Sequence, residues 1–169
     1  MAITLTQLLE ARDNRRARQL CLLSGYPGNA PVVLTVNIPG SEKRTPDSLV
    51  IARAALDALR LAFEGRILYE DSADLQTGWE SYIVVSMSAA QAKEVTVEIE
   101  EKHPLGRLMD IDVIGPDGVP VSRTGDGHPQ RRCLICNDDA RACMRAATHS
   151  VTELLAKIHS MTEAYVQRY

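Results

Sequence analysis

Along this chain, longer stretches repeat apolar residues at helical spacing and shorter ones gather β-branched residues into runs. Residues 4–24 read as a first helix. Thr4 and Gln7 have capping-box spacing, and Leu5, Leu8, Leu9, Ala17, Leu20 and Leu23 supply an apolar stripe that ends at Gly25, Pro27 and Gly28. Val32 to Ile38 is a strand bounded by Pro31 and by Pro39-Gly40. Thr45-Pro46 opens a second helix to about Leu61, with Leu49, Ala52, Leu56, Leu59 and Phe63 inward and Gly65 closing it. Strands follow at Ile67 to Glu70 and at Tyr82 to Met87, joined by a polar connection from Asp71 to Gly78. Ser88 and Gln91 cap a helix over about 89–101 that buries Ala92, Val95 and Ile99. His103-Pro104 stops it.

The next run, Leu108 to Ile114, predicts a short strand with two carboxylates inside it. Strand side chains alternate, so Asp110 and Asp112 share one face about 6.6 Å apart, while Met109, Ile111 and Val113 take the core side. Two like charges held together call for a cation, and a hard divalent ion such as Mg²⁺ suits oxygen ligands. The competing reading is two solvated aspartates on an edge strand. Pro116-Asp117-Gly118 then turns a hairpin, residues 123–131 are loop, and Asn137 to Arg145 has helical character. Ser150 and Glu153 cap a last helix over 150–167 with Val151, Leu154, Leu155, Ile158 and Met161 inward. The sum is an α+β domain: a mixed or antiparallel sheet with helices mainly on one face.

Composition narrows the function classes. A length of 169 residues suits one domain over 1–169, and a net charge of −3 gives no basic field for nucleic acid. No apolar run approaches the ~18 residues of a membrane span, and no secretory signal opens the chain, so a soluble, cytoplasmic protein without membrane attachment is expected. Against that negative balance, Arg12, Arg15, Arg16 and Arg18 cluster in the first helix, and Arg12, Arg15 and Gln19 share a face. They are either a solvated face or a guanidinium cluster for a polyanion. Lys43, after the Pro39-Gly40 turn, is a further phosphate candidate.

Cys133-x2-Cys136-x6-Cys143-x5-His149 offers three thiols and an imidazole. That set suffices for a tetrahedral structural zinc, although the gaps match no standard finger; free thiols packed in a small core are the other reading. The segment 131–149 and the terminal helix are read as part of the same domain.

Several segments together resemble one family. They are Arg12-Asp13 through Arg15, Arg18-Gln19, Pro39-Gly40-x-x-Lys43, His103-Pro104-Leu105-Gly106-Arg107-Leu108-x-Asp110-Ile111-Asp112-Val113, Ser122-Arg123, and Arg131-Arg132-Cys133-Leu134-x-Cys136 on to Cys143 and His149-Ser150. The chain resembles the citrate lyase holo-acyl-carrier-protein synthase family, also called apo-citrate lyase phosphoribosyl-dephospho-CoA transferase. The resemblance implies a nucleotidyltransferase-like fold and a nucleotidyltransferase-type reaction. The donor would be 2′-(5″-triphosphoribosyl)-3′-dephospho-CoA and the acceptor a serine of the citrate lyase acyl carrier protein, the γ subunit, with pyrophosphate released. Asp110 and Asp112 would hold Mg²⁺, with Arg107 beside them in catalysis. Arg12, Arg15, Gln19, Lys43, Gly106, Arg131 and Arg132 would bind the substrates, the last two arginines steering an acidic carrier. The alternative is a zinc-stabilised, non-catalytic module that binds the carrier protein.

Overall fold

A computed structural model describes residues 3–123 and 130–168. Most of the loop expected over 123–131 lies outside the described residues. Helix α1 spans Leu5–Gly25, followed by strand β1 (Ala30–Val36), helix α2 (Pro46–Ala62), strands β2 (Ile67–Leu75) and β3 (Gly78–Val85), and helix α3 (Ala89–Lys102). One turn of 3-10 helix, Gly106–Leu108, leads into strand β4 (Met109–Val113). Helices α4 (Ala140–Ala146) and α5 (Val151–Arg168) complete the fold. Capping boxes form at Thr4/Gln7 and Ser88/Gln91 as their spacing predicts, and a further one joins Thr45 to Ser48. At α5, Ser150 and Glu153 exchange reciprocal bonds.

The four strands make one antiparallel sheet in the order β2-β3-β1-β4, an α+β architecture. Val32 and Leu34, Ile83 and Val85, and Met109, Ile111 and Val113 face one side. There Ile51, Ala55 and Leu59 of α2, Ala92 of α3 and Ile158 of α5 bury them. On the other side Val33, Tyr82 and Val84 meet Leu22 of α1. Three helices therefore cover one face and α1 the opposite one.

Two expectations need correction. The span from Asp71 is not a connection: β2 runs on to Leu75 and turns into β3 at Gly78. As an edge strand β2 keeps one face wet, so its polar residues disguise it. The expected stripe of α1 is also not its buried face. Leu5, Leu9 and Leu20 are exposed, while Gln19 and Leu22 are buried. The helix docks through its arginines: Arg15 donates to Glu80, Arg18 to Tyr69 and Asp71, and Arg16 to the carbonyl of Gly118. Arg18 also lies 4.2 Å over the Tyr82 ring. Polar contacts replace the leucine face because the sheet presents Glu80 and Asp71 there.

A carboxylate pocket and a cysteine–histidine cluster

Strand β4 is an edge strand, and its outward backbone is completed by α3. The buried Glu100 carboxylate accepts the Ile111 N–H at 3.0 Å, and the Lys93 ammonium donates to the Ile111 carbonyl at 3.3 Å. Side chains thus do what a fifth strand would do, which closes an edge otherwise open to pairing. Lys93, Thr96, Val97 and Glu100 lie at i, i+3, i+4 and i+7 and are all buried. This second inward stripe of α3 is the signal in the sequence that reveals Lys93 and Glu100; the apolar stripe alone conceals them.

On β4, Asp110 and Asp112 point to the α1 side, opposite Met109, Ile111 and Val113. Cross-strand register places Asp110 beside Thr35 and Asp112 beside Val33. Both carboxylates line a cavity of about 560 Å³ together with Lys93, Glu100, Arg123 and Arg131. Arg131 bridges the two sides of that cavity, bonding Glu100 and reaching Asp110 at 3.2 Å. Arg123 donates to Glu100 at 2.5 Å and to Glu101 at 2.9 Å. Burial raises the Asp112 carboxyl above its ordinary range, and the neighbouring Asp110 charge adds to the rise while Lys93 opposes it. The rise is thus chiefly the cost of burying a carboxylate, with a like charge beside it.

The sequence leaves a third metal-binding carboxylate open among Glu98, Glu100 and Glu101. Only Glu100 faces the cavity, and its oxygens are already engaged by Ile111, Arg123 and Arg131. It anchors arginines; Glu98 pairs with Lys102 instead. His103 caps α3, where its Nδ1 accepts the Leu105 N–H and its ring tilts against Tyr165. Burial lowers its pKa, and it lines neither cavity described here.

The remaining expected residues divide. Arg131 turns inward to Glu100 and Asp110, whereas Arg132 is exposed and donates to the Asn137 carbonyl. Arg107 does not join the aspartates; with Lys43, Arg131 and Arg132 it lines a second cavity of about 610 Å³. Gly106 serves packing: a Cβ there would lie 2.4 Å from the Glu100 carbonyl oxygen and 2.6 Å from that of Ile99. Arg12 is exposed on α1, and Arg15 and Gln19 lie against the sheet, so this trio lines neither cavity.

Cys133, Cys136, Cys143 and His149 converge, their ligand atoms all within 4.8 Å of one another. Among the described residues no other group of three or more such side chains gathers this way. The Cys136 and Cys143 sulfurs stand 3.3 Å apart, and His149 Nε2 is buried without a hydrogen-bond partner. A buried imidazole nitrogen is rarely left so, and here it belongs to the same cluster as three thiols. Burial opposes ionisation of Cys133, but N–H groups of Cys136 and Ile135 and the neighbouring thiols outweigh it and pull its pKa down to about 6. The geometry comes from the chain's turn at Cys133 to Cys136, from α4, which carries Cys143, and from the approach to α5, which carries His149. Three thiols and an imidazole so arranged can hold a metal ion such as zinc.

The described residues contain no helix long and apolar enough to cross a membrane. A family profile described as apo-citrate lyase phosphoribosyl-dephospho-CoA transferase matches residues 3–165. A Vibrio cholerae protein named probable apo-citrate lyase phosphoribosyl-dephospho-CoA transferase is 38% identical over 98% of this chain and 94% of its own length. A Streptococcus pyogenes protein of the same name is 34% identical over 99% of this chain and 89% of its own. A Shigella boydii apo-citrate lyase phosphoribosyl-dephospho-CoA transferase is 37% identical over 95% and 88%. With the expected strand, aspartate pair and cysteine cluster all in place, the chain belongs to the apo-citrate lyase phosphoribosyl-dephospho-CoA transferase family.

Proposed function

We propose that this chain transfers the phosphoribosyl-dephospho-CoA group from 2′-(5″-triphosphoribosyl)-3′-dephospho-CoA to a serine hydroxyl on the acyl carrier protein of citrate lyase. The serine oxygen attacks the α-phosphorus, the bond to the bridging oxygen breaks, pyrophosphate leaves, and the hydroxyl proton is released to solvent. The observation that carries this nucleotidyltransferase-type reading is the pairing of Asp110 and Asp112 in one cavity with Arg131, Arg123 and Lys93 around them.

The aspartate pair fits Mg²⁺: both carboxylates share a face, and Asp112 is destabilised as an anion by burial and by Asp110. Mg²⁺ is commonly held by one or two carboxylates, with substrate phosphates and water filling its shell. When bound, the ion would offset charge on the leaving pyrophosphate. Arg131, held in place by Glu100, presents a fixed guanidinium at the cavity wall and so needs little reorganisation to meet a phosphate. Arg123, anchored by the same carboxylate, supplies a second. Arg132, on the exposed rim, is the residue placed to meet an acidic carrier protein.

Zinc is our assignment for Cys133, Cys136, Cys143 and His149, supported by the unpartnered His149 Nε2. With four protein ligands the site is closed and structural. It holds together the segment that carries Arg131 and α4, so zinc and catalysis are complementary here. The test of the transfer reading is the mass of apo-carrier after incubation with this protein, donor and Mg²⁺. A gain equal to the prosthetic group, with pyrophosphate released, supports it. An unchanged carrier mass in the presence of a bound carrier would instead support a non-catalytic binding module.

A further inference from the structure

The two cavities open on either side of a wall built from Arg131, Ala140 and Met144. They differ in chemistry. The first is mixed in polarity and carries the aspartates among Lys93, Glu100, Arg123 and Arg131. The second is largely walled by apolar side chains, including Ile38, Leu108, Leu134 and Leu154, with Lys43 and Arg107 among them. The Lys43 ammonium donates to the Ile38 carbonyl, and no carboxylate among the described residues forms an ion pair with Lys43 or Arg107. Burial pushes the pKa of each below its ordinary value; for Arg107 the charges of Arg131 and Arg123 add to this, while Cys133 and Glu100 oppose it. Two half-buried cations, neither held in a salt bridge among the described residues, thus face one cavity with room for an anion.

The proposed donor has a matching division. It carries two phosphate clusters: the reacting triphosphate on the added ribose, and the 5′-diphosphate that joins adenosine to the pantetheine arm. Only the first takes part in the chemistry. The second needs charge neutralisation, and the arm beyond it sets a gem-dimethyl group and methylenes between a hydroxyl, two amides and a terminal thiol. Resting on the transfer reading above, we propose that the second cavity binds the dephospho-CoA end of the donor, diphosphate on Lys43 and Arg107 and pantetheine against Leu134 and Leu154. The triphosphate lies in the first cavity, and the adenosine–ribosyl link passes the wall at Arg131 and Met144. A volume of about 610 Å³ is in the ordinary range for a ligand of this kind.

Calorimetric titration of the full chain with dephospho-CoA, which lacks the triphosphoribosyl group, tests this without turnover. Dephospho-CoA is expected to bind, and ADP, which lacks the pantetheine arm, to bind about tenfold more weakly. Arg107→Gln and Leu154→Glu should each weaken dephospho-CoA by about tenfold or more, the first by removing a charged donor and the second by placing a carboxylate in the cavity. Asp110→Asn should leave that binding unchanged. Leu154 is partly exposed on α5, so its variant probes the wall where folding is least at stake. No binding by the wild-type chain, equal binding by both cavity variants, or loss of binding in Asp110→Asn overturns the assignment. Carrier modification without dephospho-CoA binding overturns the cavity assignment alone; dephospho-CoA binding without carrier modification overturns the transfer reading alone.

Discussion

Glu100 accepts the backbone N–H of Ile111 at 3.0 Å, so a helix carboxylate satisfies the free edge of the strand that carries the aspartates. The same side chain, 3% exposed, holds Arg123 and Arg131. Glu100→Ala would leave the Ile111 N–H without its acceptor and take one of two carboxylates from each guanidinium, with Arg131 keeping Asp110 and Arg123 keeping Glu101. Breaking a buried pair on one side costs about 3–5 kcal/mol, and urea unfolding should report a loss of that order. Glu100→Gln, which keeps an acceptor for Ile111, should lose less.

The aspartates make a prediction in two directions. Asp110→Asn or Asp112→Asn should slow transfer on the order of 10²–10³-fold, the usual cost of one missing electrostatic element at the transition state. Yet Asp112→Asn should stabilise the metal-free protein near neutral pH. The folded Asp112 carboxyl titrates above its ordinary 3.8, so the folded state binds that proton more tightly than the unfolded chain. Its penalty is absent below pH 3.8 and grows as pH rises through the raised value. Thermal midpoints of wild type and variant should therefore agree in acid and separate toward neutrality.

Purified protein is expected to contain near-stoichiometric zinc, lost in a Cys133→Ser/Cys136→Ser double variant. A ligand bound only by the folded state stabilises by about 4 kcal/mol at a thousand times its Kd. Chelation should therefore lower the unfolding midpoint, and added zinc should restore it. Folded, metal-free wild-type protein with an unaltered midpoint would sink the zinc assignment.

Gly106→Ala tests close packing. The added methyl would strike the backbone of Ile99 and Glu100, which cannot swing aside as a long side chain can. A loss of about 1–3 kcal/mol is expected, with transfer falling alongside because β4 begins three residues later.

Arg15 and Arg12 should behave differently although they share a helix face. Arg15→Ala abandons the buried Glu80 carboxylate, and about 1–3 kcal/mol of stability should go with it. Arg12 is exposed, so Arg12→Ala should stay within about 0.5 kcal/mol. If Arg15 instead binds donor phosphate, its variant will raise KM while the unfolding midpoint stays put.

Much of this molecule was written in its local pattern. Caps at Thr4, Ser88 and Ser150, the alternation around Asp110 and Asp112, and the spacing of Cys133 to His149 depend on near neighbours in the chain, and each formed as read. By itself the sequence determined the α+β composition, the shared face of the two aspartates and the four residues of the cysteine–histidine cluster. Tertiary structure decided which polar residues turn inward. That Arg15 packs on Glu80, that Glu100 and not Glu98 faces β4, and that Arg107 lines the second cavity depend on partners distant in sequence. A charged side chain is buried only where its partner waits, and periodicity along one segment carries no record of that partner.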